Sequence, residues 1–427
     1  MMACLGSGRA CIRGFEKFCL LTQNTQIKKK SASYLQFKQI GIHPLARTFV
    51  QNCQNQCTYL TAECTATACP SLCRRITTSS HTTDQTSGSS IRHYSTELPD
   101  YQTVDPYTLL EDDLKYIFRD IRQELRYNTN QDELHTIATY YFDGQGKAVR
   151  PMVAILMARA INYHLNKDSL SEAQRQVAMV SEMIHSASLI HDDVIDQSEL
   201  RRGKPSVNVL FNHKKVAMAG DFVLAVASMM IARLKDNDVT LTLSQVITDL
   251  VQGEFMQLGA KETENERFAH YLTKTYRKTA SLIANGLKAE AMLAGADPKL
   301  SEVAFEYGRN VGIAFQLVDD LLDFVSSTDA MGKPTAADLK LGLATAPVLF
   351  ACEKFPELNP MIMRRFQEPG DVEKAFELVH KSQGLEQTRF LAKKHCMEAV
   401  RLAGLISESQ YQKGLLVMTD LVLNRLK

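Results

Sequence analysis

Two acidic triplets of identical spacing, each set among apolar residues, constrain this chain more than any other feature. Asp192-Asp193-x-x-Asp196 lies in LIHDDVID, and Asp319-Asp320-x-x-Asp323 lies in FQLVDDLLDF, 127 residues further on. Leu189, Ile190, Val194 and Ile195 flank the first; Phe315, Leu317, Val318, Leu321, Leu322 and Phe324 flank the second. A carboxylate among apolar side chains is costly unless it is paired or ligates a metal. On an α-helix, positions i, i+1 and i+4 fall within a ~100° arc, so each triplet turns three carboxylates the same way. A solvated acidic face is the ordinary reading of one such triplet, but neither of these sits in a polar stretch. Carboxylate oxygens without thiol partners suit a hard cation, and Mg²⁺ readily shares its shell with phosphate oxygens. The pair therefore predicts a helical protein whose acidic clusters hold Mg²⁺ against a diphosphate.

Such an anion needs further cations, and the sequence supplies them near the acids. In GQGKAVRP, Lys147 and Arg150 are three residues apart on one helix face, with Pro151 suited to a first turn. Arg201-Arg202-Gly203-Lys204 follows the first triplet, and Lys333 follows the second in MGKPT. Any one of these alone would read as a surface charge. His185 lies seven residues before Asp192, two turns along the same face.

The rest of the chain is read as an all-α domain behind a leader. Residues 1–95 are rich in Ser, Thr and Gln and lack sustained apolar periodicity. To residue 96 there are eleven Lys and Arg against three acids, a net of +8, whereas the remainder carries 38 basic and 45 acidic residues. This composition predicts a mitochondrial transit peptide with a disordered connector over 1–95 and a catalytic domain over 96–427. The acidic body argues against a nucleic-acid binder. Eight of ten cysteines lie between Cys4 and Cys73; Cys352 and Cys396 alone make no disulfide scaffold, so the body suits a reducing compartment. The CxxxC pairs Cys53/Cys57 and Cys69/Cys73 lack a histidine at zinc-finger spacing. From about Tyr107 apolar residues recur at helical spacing, and no proline intervenes between Pro205 and Pro298. Val216–Leu234 is the most apolar long stretch, but Asp221 interrupts it, so it reads as a bundle helix rather than a transmembrane span.

The segments DGQGKAVRP, EMIHSASLIHDDVIDQSELRRGKPSVN, MAGDFVLA, YRKTASLIAN, GIAFQLVDDLLDF and MGKPTAADLKLGLATAPVLF resemble trans-isoprenyl diphosphate synthases, in that family's order, from about Tyr107 to the C-terminus. The similarity is greatest to the long-chain, ubiquinone-directed branch. The resemblance implies a helical bundle around a central substrate cavity. It implies that Asp192, Asp193, Asp196, Asp319, Asp320 and Asp323 hold Mg²⁺ on an allylic diphosphate, farnesyl or geranylgeranyl. Lys147, Arg150, His185 and Arg202 would bind isopentenyl diphosphate. Arg201, Lys278 and Lys333 would contact the allylic diphosphate, and Thr279 and Gln316 would lie near the developing cation. A homologous second subunit, or a second copy of the chain, is implied as partner. One departure stands out: Leu343 occupies the position where the family's DLxxGKxT segment carries lysine.

The chemistry implied is ionisation of the allylic diphosphate, alkylation of the second substrate's double bond, and loss of a proton, for which the released diphosphate is the available base. A class I terpene cyclase would also use acidic helices, but Lys147-x-x-Arg150 and a second full DDxxD favour elongation. A non-catalytic partner subunit would be expected to carry degraded triplets.

Overall fold

The computed structural model describes residues 104–144, 148–258, 264–325 and 336–426. Lys147, Lys333 and the 1–95 leader lie outside them. The described chain is a helical bundle, as the periodicity predicts. Its main helices are α1 (Ile117–Tyr127), α2 (Asp132–Thr139), α3 (Val149–His164), α4 (Glu172–Ile195), α5 (His213–Arg233), α6 (Asn237–Leu258), α7 (Glu264–Thr275), α8 (Ser281–Leu293), α9 (Pro298–Val325), α10 (Ala346–Lys354), α11 (Asp371–Lys381), α12 (Gly384–Ala403) and α13 (Gln410–Leu423).

The pattern of apolar residues sorts these helices by depth. In α3, eleven residues from Pro151 to Asn162 are buried, so the helix is apolar nearly all round and lies at the centre. α8 is equally enclosed and touches α3, α4, α6 and α9. In contrast, α1 buries only Ile117, Ile121 and Leu125, one stripe at i, i+4 and i+8. Local signals set the boundaries. Ser171 opens α4 with a capping box, its hydroxyl accepting from Gln174 N while the Gln174 side chain accepts from Ser171 N; such a cap contributes about 1 kcal/mol. Asn212 and Ser409 cap α5 and α13 by accepting from Lys214 N and Gln412 N, without the reciprocal bond. A smaller core of Phe324, Leu339, Val348, Leu358, Phe366 and Leu378 lies under the second acidic triplet.

The sequence shows no strand pattern, yet Leu200–Arg201 (β1) pairs with Lys204–Pro205 (β2) in a two-residue hairpin. Arg202 and Gly203 make its turn with φ of 54° and 76°, which a type I′ turn requires. Cys352 and Cys396 are buried free thiols.

Glycine brings α8 and α9 into direct contact. A Cβ on Gly312 would fall 2.5 Å from Ala280 Cα, and one on Gly308 would fall 2.8 Å from Ala284 Cα. Gly312→Leu is expected to force the helices apart and cost about 1–3 kcal/mol. Urea unfolding would register this as a lower midpoint at unchanged slope; an unchanged midpoint would mean the contact has slack.

Candidate active site

The three carboxylates of the first triplet, at the C-terminal end of α4, have different surroundings. Asp193 is fully buried. Tyr141 Oη donates to its Oδ2, while Arg201 Nε and Nη2 donate to its Oδ1 at 3.0 and 2.6 Å. The hairpin presents Arg201 for this pairing, and Val207 N closes the network on Tyr141 Oη at 3.1 Å. Asp192 is half-buried and Asp196 is exposed. Burial raises the pKa of both; Lys278 opposes the rise and Glu254 adds to it. Asp192 is pushed up to about 6.

The second triplet repeats the arrangement on α9. Asp320 is buried, accepting from Tyr271 Oη at 2.5 Å, Gln316 Nε2 at 2.9 Å and Ala346 N at 3.3 Å. Burial raises its pKa, partly offset by those donors. Asp323 accepts from Ala337 N and Asp338 N at 3.0 and 3.1 Å and so starts the short helix Ala337–Lys340. Asp319 pairs with Arg425 at 3.0 Å; the Arg425 guanidinium lies 4.3 Å over the Phe315 ring. Gln316 also accepts from Thr279 Oγ1 at 2.9 Å, joining Thr279, Gln316 and Asp320 in one chain.

Lys278 and Thr279 lie in a π-helical turn, Tyr276–Ala280, between α7 and α8. Lys278 Nζ pairs with Glu254 on α6 and donates to Gln257 Oε1 at 3.0 Å. Gly253 allows this approach, since a Cβ there would fall 2.7 Å from Lys278 Cγ.

Arg150 and Arg202 line a cavity of about 380 Å³ together with Glu182 and the apolar Val153, Ile283, Val311 and Phe315. Arg150 Nε is buried and makes no hydrogen bond among the described residues. Burial and the neighbouring Arg150, Arg202 and Arg201 charges hold the His185 pKa well below the usual range, so the ring is neutral near pH 7. His191 faces away: its Nε2 lies 3.1 Å from Ala217 O and 3.3 Å from Asp221, packed on Gly220 of α5.

A family profile described as "Polyprenyl synthetase" matches residues 131–379. The chain belongs to the polyprenyl synthetase family. It is 52% identical over 359 residues to the Homo sapiens "All trans-polyprenyl-diphosphate synthase PDSS1", covering 84% of each chain. It is 36% identical over 342 residues to "Solanesyl-diphosphate synthase 1, mitochondrial" of Oryza sativa subsp. japonica, covering 76% of this chain and 79% of that one. The crystal structure of a polyprenyl synthase from Caulobacter crescentus CB15, complexed with calcium and isoprenyl diphosphate, superimposes with a TM-score of 0.69 at 29% identity, covering 77% of this chain and 99% of that one. Membership makes the chain a prenyl-transferring enzyme of all-helical fold.

Within this polyprenyl synthetase the donor set fits a divalent cation. Asp192, Asp196 and Glu254 are oxygen donors close to one another: burial raises the pKa of Asp192 and Asp196, and the Glu254 charge adds to the rise. Among the described residues, no three His, Cys, Asp or Glu side chains close around one point. A bound ion would therefore complete its shell with diphosphate oxygens and water. Sequence reasoning missed Tyr141, Tyr271, Glu182 and Glu254. Only GEFMQ, an acid and an amide three residues apart on α6, offered a local signal.

The raised Asp192 pKa has a stability consequence. Its folded value lies above the unfolded value of 3.8. Between about pH 4 and 6 the native state holds a proton that the unfolded chain has lost, so stability falls as pH rises through that window. Metal-free Asp192→Asn is expected to melt above the parent protein at about pH 7.5 and level with it near pH 4. Melting curves in chelator decide the point; no difference at either pH would mean that the carboxylate is compensated.

Proposed function

We propose that this protein condenses isopentenyl diphosphate onto an allylic diphosphate, farnesyl or geranylgeranyl, to build a long all-trans polyprenyl diphosphate for the ubiquinone side chain. The observation that carries this reading is that Lys278 borders the first triplet through Glu254, while its neighbour Thr279 joins the second through Gln316 and Asp320. Two acidic motifs thus flank one cationic site.

The six aspartates divide the work. Asp192, Asp196 and Asp319 are assigned to Mg²⁺, although Asp319 also pairs with Arg425; Asp193, Asp320 and Asp323 are assigned to holding them in place, since both oxygens of each already accept hydrogen bonds from the fold. Bound Mg²⁺ supplies Lewis-acid stabilisation to the departing diphosphate. Lys278, Arg201 and Lys333 add fixed positive charge at the same leaving group, which lowers the barrier as negative charge develops. Thr279 and Gln316 turn oxygen dipoles towards the allylic cation. Arg150, Arg202, Lys147 and neutral His185 bind the isopentenyl diphosphate, with His185 acting as a hydrogen-bond donor. Apolar walls at Val153, Ile283 and Phe315 keep water from the cation.

A homologous second subunit is proposed to cover α5 and α6. Their outward faces expose Met218, Met229, Leu241, Val251 and Phe255, the last two being 54% and 73% exposed. α5 is also long and apolar enough to cross a membrane, but its other side, with Val216, Val223, Val226 and Ile231, is buried in the bundle, where the helix packs on α4. The basic leader and the mitochondrial name of the rice relative support a mitochondrial location.

Purified alone and with its partner, the protein is expected to make long polyprenyl products from farnesyl diphosphate, isopentenyl diphosphate and Mg²⁺. Asp192→Ala or Asp319→Ala should lower turnover about a hundredfold or more with circular dichroism unchanged. Near-normal turnover in a folded Asp192→Ala protein would defeat the metal assignment.

Chain length is expected to depend on the turn of α4 before Asp192. Ala187 is buried there, and Ser188 Oγ donates to His185 O at 2.8 Å. Small side chains leave the growing tail room to pass down this face. Ser188→Phe is expected to shift products to shorter chains while ionisation continues. Chromatography of dephosphorylated products reads this directly, and an unchanged distribution from an active variant would place the length limit elsewhere.

A further inference from the structure

α7 and the π turn run as one continuous helix, and Tyr271, Lys274 and Lys278 follow one another along it at i, i+3 and i+7. Tyr271 is bound to Asp320 of the second triplet. Lys278 is bound to Glu254, beside the first. Lys274 therefore stands between the two anchor points. Its ammonium lies 5.8 Å from the Tyr271 ring centroid and makes no hydrogen bond or ion pair among the described residues. Burial lowers its pKa; Asp320 and Asp338 attract it and Lys278 repels it. Of the acids that attract it, Asp320 is engaged by Tyr271 and Gln316, and Glu254 by Lys278. A half-buried ammonium that forms no ion pair of its own is suited to an anionic ligand.

A second observation points the same way. Lys274 lines a cavity of about 90 Å³ with Arg267, His270 and Arg365, and no acidic side chain faces it among the described residues. Gln257, which holds Lys278, lines it too and connects it to the site described above. Leu343 is also in its wall.

We propose that Lys274 binds the allylic diphosphate and supplies from α7 a positive charge that Leu343 does not. The proposal rests on the elongating-synthase reading. The test compares Lys274→Met and Lys274→Arg with the parent protein, using farnesyl diphosphate, isopentenyl diphosphate and Mg²⁺. Lys274→Met is expected to raise the allylic KM about tenfold, with the KM for isopentenyl diphosphate within about twofold, and Lys274→Arg to restore most of the loss. Thermal melts give an independent readout. Without ligand, Lys274→Met should melt no lower than the parent, because a half-buried charge that forms no ion pair has been removed. With inorganic pyrophosphate and Mg²⁺ it should gain less stability than the parent gains.

An unchanged allylic KM, an equal rise for both substrates, or a full pyrophosphate shift in Lys274→Met overturns the proposal. So does a ligand-free Lys274→Met protein that melts well below the parent, since the ammonium would then have a partner inside the fold. If the parent protein itself elongates nothing, the functional reading fails, and the pyrophosphate melts still decide whether Lys274 meets a diphosphate.

Discussion

Two buried carboxylates, Asp193 and Asp320, are held by tyrosine hydroxyls, and the geometry of the site depends on that restraint. Tyr141 and Tyr271 reach them from segments 52 and 49 residues away in sequence, and each aspartate takes further donors, Arg201 in one case and Gln316 with Ala346 N in the other. Hydrogen bonds to a charged group contribute about 1.5–3 kcal/mol apiece, and losing one inside a low-dielectric core leaves a charge without compensation. The helix ends carrying the triplets are thereby fixed in rotation. Asp192 and Asp319, one residue earlier, are turned ~100° from their anchored neighbours. The fold thus uses one carboxylate to aim another.

The charges on the two sides of the site differ in kind. Near α4 and α6, burial and the Glu254 charge raise the carboxyls of Asp192 and Asp196 while Lys278 and Arg201 pull them down, an arrangement that a divalent cation would relieve. Around Arg150, two guanidiniums share Glu182, whose pKa burial raises while they pull it down. Each half carries an imbalance that the other component of a metal–diphosphate complex would correct. His185 stays uncharged because it is buried and because the neighbouring arginine charges repel a proton.

How much of this could be read from the sequence depended on the range of the interaction. The all-helical class, the bundle-helix character of Val216–Leu234 and the two triplets follow from periodicity and local spacing, and the fold bears out the helical reading, although that helix is buried on one side only. Arg150 and Arg202 were legible because they stand beside recognisable neighbours, and they do share a cavity. The tyrosine anchors were not legible, because nothing near Tyr141 or Tyr271 in sequence signals a partner some fifty residues on. Treating the three carboxylates of each triplet as equivalent missed the burial of the middle one. The RRGK hairpin is not legible as strand because two-residue strands carry no alternation, although Gly203 after Arg202 is a turn signal.

The π turn at Tyr276–Ala280 has an evolutionary side. Such a turn amounts to one residue more than an α-helix needs, and turns of this kind are rare outside functional sites. Deleting one residue there would give a more regular helix and rotate the residues on one side by ~100° relative to those on the other. Tyr271 and Thr279 could then no longer both reach the second triplet. The irregularity is thus protected by the function it serves, and a chain that lost it would gain local regularity while forfeiting the register between its two halves.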